Sequence, residues 1–101
     1  MPAEEREGEE VMRTMDDITE IKIAFMAWGG MYGKGIYEVR YYFDGLIGQR
    51  TFNSVIVPVS VFKEKGLVRR IDHHKKADEW LNTAEGKRWL VENYLQGEVA
   101  V

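Results

Sequence analysis

Cysteine is absent from the 101-residue chain, which excludes disulfides, thiol catalysis and cysteine-ligated zinc or iron–sulfur centres. Serine occurs only at Ser54 and Ser60, neither within a Gly-x-Ser-x-Gly turn, so the setting of an activated serine nucleophile is missing. No apolar run approaches the roughly 18 residues of a membrane span. The opening Met1-Pro2-Ala3-Glu4-Glu5 is acidic and lacks the basic-then-apolar order of a signal peptide, which predicts a cytoplasmic chain. Amides are scarce, at Gln49, Asn53, Asn82, Asn93 and Gln96, whereas 31% of the residues are charged. Few thermolabile side chains beside many ionic ones is a thermophile tendency, and it predicts a thermophilic source, archaeal or viral.

The 45% of residues that are hydrophobic suffice for one core. A chain this long buries roughly 60–70% of its unfolded surface, so one two-layer domain is the expected limit. The net charge of −3 conceals an asymmetry. Residues 1–20 hold eight acids and two bases, a charge of −6; residues 21–101 hold nine acids and twelve bases, a charge of +3. Lys63, Lys65, Arg69, Arg70, Lys75 and Lys76 outweigh Glu64 and Asp72 within one short segment. An acidic arm beside a basic body is a pattern with functional meaning, although a solvated tail and a solvated face produce it too.

Hydrophobic periodicity predicts an acidic arm over 1–17, an α+β domain over 18–97 and a tail over 98–101. Glu9–Met15 has thin apolar content for a short helix. From Ile21 the odd positions Ile21, Ile23, Phe25 and Ala27 alternate with polar ones, as in a half-buried strand. A glycine-rich loop follows, then Tyr37, Val39, Tyr41 and Phe43 alternate with Glu38, Arg40 and Tyr42. Trp28 opposite Ile36 sets the pairs Ala27–Tyr37, Phe25–Val39, Ile23–Tyr41 and Ile21–Phe43 on one buried face. Asp44-Gly45 signals a turn before a third strand near Ile47–Asn53. Val55–Val59 extends that strand or starts another, with Pro58 at an edge or end because it cannot donate to a ladder. Ser60 caps a single helical turn ending at Gly66, and Leu67–Ile71 reads as one more short strand. Ala77, Trp80 and Leu81 share a helical face. Thr83 caps a last helix carrying Trp89, Leu90, Tyr94 and Leu95. The expected fold is therefore an antiparallel sheet of three to five strands within about residues 19–71, with C-terminal helices packed on one face.

Two motifs invite a chemical reading and fail it. Gly33-Lys34 lacks the preceding glycine and following Ser or Thr of a phosphate-binding loop, since Trp28 and Gly35 stand there. Asp72-His73-His74 resembles the metal-binding triplet of the DHH phosphoesterases, but the Asp-x-Asp motif of those enzymes is nowhere in the chain. The neighbouring carboxylates Asp16-Asp17 and Asp78-Glu79 point about 100° apart on a helix. No enzyme activity, catalytic residue, metal or cofactor is expected.

Aromatic residues interleaved with bases are what remains. The expected register puts Lys22, Met26, Trp28, Arg40 and Tyr42 on the sheet face free of helices, with Tyr32 and Lys34 in the adjoining loop. Bases stack on such rings and cations follow the phosphates, and Lys63, Lys65, Arg69, Arg70, Lys75 and Lys76 would extend the track. The sequence thus predicts a domain that binds single-stranded DNA or RNA, with the acidic arm competing for the basic surface. Glu20, Glu38 and Asp44 on the same face weigh against it. The alternative is a protein-interaction module (a homodimer, an adaptor or a small viral inhibitor of a host complex). It would be anchored by Met26, Trp28, Ile36 and Tyr42, with the Val55–Val59 edge open to another strand.

Overall fold

Alternation of apolar and polar residues builds the centre of the molecule as three antiparallel strands in the order of the chain. The structure, a computed structural model, describes residues 13–28 and 35–101. Strand β1 (Arg13–Thr14) leads through a single 3-10 turn into β2 (Ile18–Ala27). β3 (Ile36–Asp44) and β4 (Arg50–Pro58) follow, then helices α1 (Val59–Glu64), α2 (Lys75–Leu81) and α3 (Ala84–Tyr94), and finally β5 (Val99–Ala100). The main sheet has the order β2-β3-β4. The helices cover one face of it, as expected of an α+β chain with its strands first. No described helix is long and apolar enough to cross a membrane.

Tyr37, Val39, Tyr41 and Phe43 from β3, Ile18, Ile21 and Ile23 from β2 and Val57 from β4 form the sheet's half of the core. Phe62, Ala77, Leu81, Leu90, Val91 and Leu95 from the helical layer close over them. Phe62 bridges the layers, its ring 5.8 Å from Tyr37 and 5.7 Å from Trp89. Thr83 begins α3 as its spacing predicts, its hydroxyl accepting from the Gly86 N–H at 3.0 Å. That bond satisfies one of the donors left open at a helix start.

Several expectations change. Leu67–Ile71 is not a strand: it lies in the turns joining α1 to α2, with Val68 and Ile71 buried as anchors. The β-branched run after Asn53 extends the third strand, one of the two expected alternatives, but that strand starts at Arg50 rather than near Ile47, and α1 starts beside Pro58 rather than at Ser60. The expected boundaries at 17/18 and 97/98 are crossed, because β1 pairs in parallel with β5 and Val99 is buried. The segment Glu9–Met15 falls largely outside the described residues; its end holds β1 and the start of the 3-10 turn.

The register of the first hairpin also shifts. Ile21 faces Tyr41 and Ile23 faces Val39, two residues from the expected pairing, and irregularities fall between Ile18 and Glu20 and between Ile23 and Phe25. A two-residue slip keeps every side chain on its face, so alternation alone cannot detect it. The second irregularity reverses the phase. Phe25 now pairs with Glu38 and is 59% exposed, whereas Met26 faces Tyr37 and packs against the core.

Two core tyrosines make stability sensitive to alkali. The buried Tyr37 hydroxyl donates to the Ile71 carbonyl at 2.8 Å. Burial, reinforced by the Asp78 and Asp72 carboxylates, pushes its pKa up to about 12. Tyr41 is raised in the same direction by burial and by the Glu98 carboxylate to which it donates at 2.7 Å. The folded pKa exceeds the unfolded one, so Tyr37's contribution is complete below pH about 10 and is lost as pH climbs towards about 12. Two pH units correspond to about 2–3 kcal/mol. Denaturant titrations at pH about 8 and about 11.5 should therefore differ less for Tyr37→Phe than for the native chain. Equal alkaline losses in the two proteins would refute this origin.

Candidate nucleic-acid interface

The face of the sheet turned away from the helices carries the even positions of β3 and β4. Row by row it runs Ala27–Ile36–Pro58, Phe25–Glu38–Ile56, Lys22–Arg40–Ser54 and Glu20–Tyr42–Phe52, with Asp44–Arg50 beyond. Lys22, Arg40, Tyr42 and Ile36 therefore share a surface, as expected. Met26 leaves it for the core side. Trp28, one residue past the end of β2, is 67% exposed but outside the ladder. Tyr32 and Lys34 lie outside the described residues.

The two arginines of this face are already occupied. Arg40 pairs with Glu38 at 3.3 Å and lays its guanidinium 4.4 Å from the Phe52 ring centre. Arg50 pairs with Glu20 and sits 4.2 Å from the Tyr42 ring centre. Tyr42 and Phe52 pack against each other at 5.3 Å. Lys22, Arg40 and Arg50 balance Glu20, Glu38 and Asp44, so the face has no net charge. Each arginine covers the ring a base would stack on.

Phe52, Arg50, Phe25 and Ile56 are the members of this face that periodicity missed. For Phe52 and Ile56 a signal exists: they keep the same parity as Ser54, which matches Tyr42, Arg40 and Glu38 across the Asp44-Gly45 turn. For Phe25 none does. Every residue from Ala24 to Trp28 is apolar, so alternation loses its phase there.

The basic segment takes a different position. Val68 and Ile71 are drawn into the core, and the Tyr37 hydroxyl holds the Ile71 carbonyl, so the connection between α1 and α2 folds over the covered side of the sheet. The exposed Arg69 and Arg70 project between these anchors. Here the chain forms a concavity of about 810 Å³ lined by Gly66, Leu67, Arg69, Arg70, Asp72, His73, His74, Lys75, Lys76 and Asp78. Arg70 pairs with Asp72 at 3.1 Å. Asp78 is engaged twice, by His74 Nδ1 at 2.7 Å and by the Ile23 N–H at 2.7 Å. Among the described residues no carboxylate lies within 4 Å of Arg69, Lys75 or Lys76. Of the remaining bases, Lys65 lies over the Trp80 and Trp89 rings at 5.2 and 4.9 Å, and Lys63 is exposed on α1.

The predicted interface is thus split between the two sides of the sheet. One aromatic residue rejoins the basic half. Gly35, at the start of β3, is so close to both Ile71 and Ala27 that an added Cβ would lie 2.7 Å from Ile71 Cδ1 and 3.2 Å from the Ala27 carbonyl oxygen. The end of β2 therefore abuts the basic connection, and exposed Trp28 leaves the sheet at that end. Among the described residues, no three His, Asp or Glu side chains gather as ligands for a metal ion. No protein-family model, curated protein or solved structure matches the chain.

Proposed function

We propose that this chain is a non-enzymatic nucleic-acid-binding domain that holds phosphates in the concavity between α1 and α2. The observation that carries this reading is the convergence of Arg69, Lys75 and Lys76, none with a carboxylate partner among the described residues, on one concave surface beside Arg70. Cations not neutralised within the fold are those that gain most from a chain of phosphates, because binding releases condensed counterions. The balanced sheet face offers no such gain. Trp28 supplies an exposed ring at the same end of the sheet, where an unpaired base would stack, and this favours single-stranded over duplex nucleic acid.

Anisotropy of a labelled single-stranded oligonucleotide tests the reading. Contact with three or four phosphates predicts a slope of about −2 to −3 in log K against log salt. Replacing Arg69, Lys75 and Lys76 together with alanine should weaken binding at least about tenfold and flatten that slope by about 2. Trp28→Ala should cost about 1–3 kcal/mol of binding, while Lys22→Ala with Arg40→Ala on the opposite face changes little. No binding by the native chain, or binding lost from the sheet variant and kept by the triple variant, would overturn the proposal.

A protein partner is the second reading, and the open sheet face favours it. Phe25 and Ile56 are 59% and 47% exposed on a surface without net charge, which suits an apolar contact more than a polyanion. Complex formation insensitive to salt would distinguish this reading from the first.

A further inference from the structure

The two edges of the sheet are finished differently. On β2 the outward backbone groups are met by side chains of the helical layer. The Asn82 side chain accepts from the Ile21 N–H and donates to the Ile21 carbonyl, each at 2.8 Å, as a neighbouring strand would, and Asp78 accepts from the Ile23 N–H at 2.7 Å. Among the described residues nothing does this for β4, which has β3 as its one neighbour. Its nine residues run without a bulge, and Arg50–Ser54 are exposed on both faces. Lysine, a bulge, a proline and a covering segment are the usual protections of such an edge; among the described residues β4 has only Pro58, at its very end.

The direction of the free groups follows from the ladder. Val59 N–H donates to the Gly35 carbonyl at 3.2 Å, so the odd residues of β4 turn their backbone groups towards β3. By alternation, Phe52, Ser54 and Ile56 turn theirs outward. Pro58 shares that parity, so its missing N–H also faces outward, where the ladder with β3 does not need it.

We infer that the outer edge of β4 pairs antiparallel with β4 of a second copy of the chain, about a two-fold axis at Ser54. Among two-fold registers this one overlaps the whole of Arg50–Pro58 with itself. It sets Phe52 directly opposite Ile56 of the second copy, and the reverse, on the open face. Both side chains are about half exposed in the single chain, at 45% and 47%, and aromatic–β-branched pairs of this kind stabilise antiparallel strands. Moving the axis to Asn53 puts Ile56 against Arg50 instead; moving it to Val55 puts Phe52 against Pro58. Only the axis at Ser54 joins the apolar residues of both open faces into one stripe. An isologous contact of this type closes on itself and leaves no further β4 edge to recruit more chains. The inference does not depend on nucleic-acid binding.

Sedimentation equilibrium of the full chain over micromolar to millimolar concentration should give a dimer. Ser54→Pro should give a monomer with unchanged far-UV circular dichroism, because the lost N–H points away from β3. The chain has no cysteine, so a single introduced thiol reports the register. Residues facing each other across a hydrogen-bonded pair have Cα atoms about 5.5 Å apart, within disulfide range. Oxidised Ser54→Cys should form a covalent dimer, whereas Arg50→Cys, far from its own copy, should not. If Ser54→Pro does not fold, the pair of cysteine variants decides. A native chain that stays monomeric, a dimer that survives in folded Ser54→Pro, or equal cross-linking at positions 50 and 54 would overturn the inference.

Discussion

Replacing Gly86 with alanine is expected to destabilise the protein by at least about 3 kcal/mol. Gly86 is buried in the first turn of α3, where that helix crosses the end of α2. A Cβ there would fall far inside van der Waals contact with the Trp80 carbonyl oxygen, and 2.7 and 2.8 Å from Trp80 C and Leu81 Cα. The carbonyl cannot swing away at low cost. It accepts from the Thr83 N–H at 3.0 Å and the Thr83 hydroxyl at 2.6 Å, so moving it breaks the turn between the two helices. Overpacking of side chains costs about 1–3 kcal/mol, and here the obstruction is backbone. In a domain of this size the loss corresponds to a Tm lower by more than about 10 °C. Gly66→Ala serves as the contrast. A Cβ at Gly66 meets nothing within 4 Å and only its φ of 76° opposes it, for about 1 kcal/mol. Thermal melts of the two variants check the difference, and equal Tm values would show that the helix crossing relaxes freely.

Asn82→Ala is expected to cost about 2–4 kcal/mol, far more than an exposed asparagine on a helix end ordinarily would. The side chain stands in for a strand at the outer edge of β2, and its loss leaves the N–H and carbonyl of Ile21, a residue only 1% exposed, without partners. Each such group costs about 1–3 kcal/mol. Asn82→Asp isolates the donor half, since a carboxylate still accepts from the Ile21 N–H but repels the Ile21 carbonyl. It should recover little of the loss. Chemical denaturation measures both variants, and hydrogen exchange at the Ile21 amide reports whether the edge has opened. A cost under about 1 kcal/mol, with no faster exchange, would mean that water replaces the amide without penalty.

Much of this fold is legible along the chain because burial follows short-range periodicity. Tyr37, Val39, Tyr41 and Phe43 declare their face by alternating with Glu38, Arg40 and Tyr42, and Thr83 marks the start of α3 by its capping chemistry. The limits of legibility are equally local. Over Ala24–Trp28 no polar residue marks a phase, so the turn of Phe25 outward and Met26 inward depends on where the ladder slips. The two-residue shift that pairs Ile21 with Tyr41 changes partners without changing faces. Leu67–Ile71 looks like a strand because Leu67, Val68 and Ile71 are apolar, yet only two of them anchor a turn.

The candidate site divides in the same way. Composition alone placed six bases within residues 63–76 and excluded cysteine chemistry, because counts and charges do not depend on folding. The chain also predicted that Lys22, Arg40 and Tyr42 share a face, since alternation dictates it. Tertiary structure decided which cations are free. Arg40 is held by Glu38 of its own strand, but Arg50 is held by Glu20 of β2, and the two guanidiniums spread over Phe52 and Tyr42, contacts between strands that no local pattern predicts. Among the described residues Arg69, Lys75 and Lys76 have no carboxylate partner: Val68 and Ile71 beside Arg69, and Ala77 beside Lys75 and Lys76, are drawn into the core and leave the charged side chains exposed. Whether a cation in this protein is available to a ligand is therefore a property of its packing rather than of its place in the sequence.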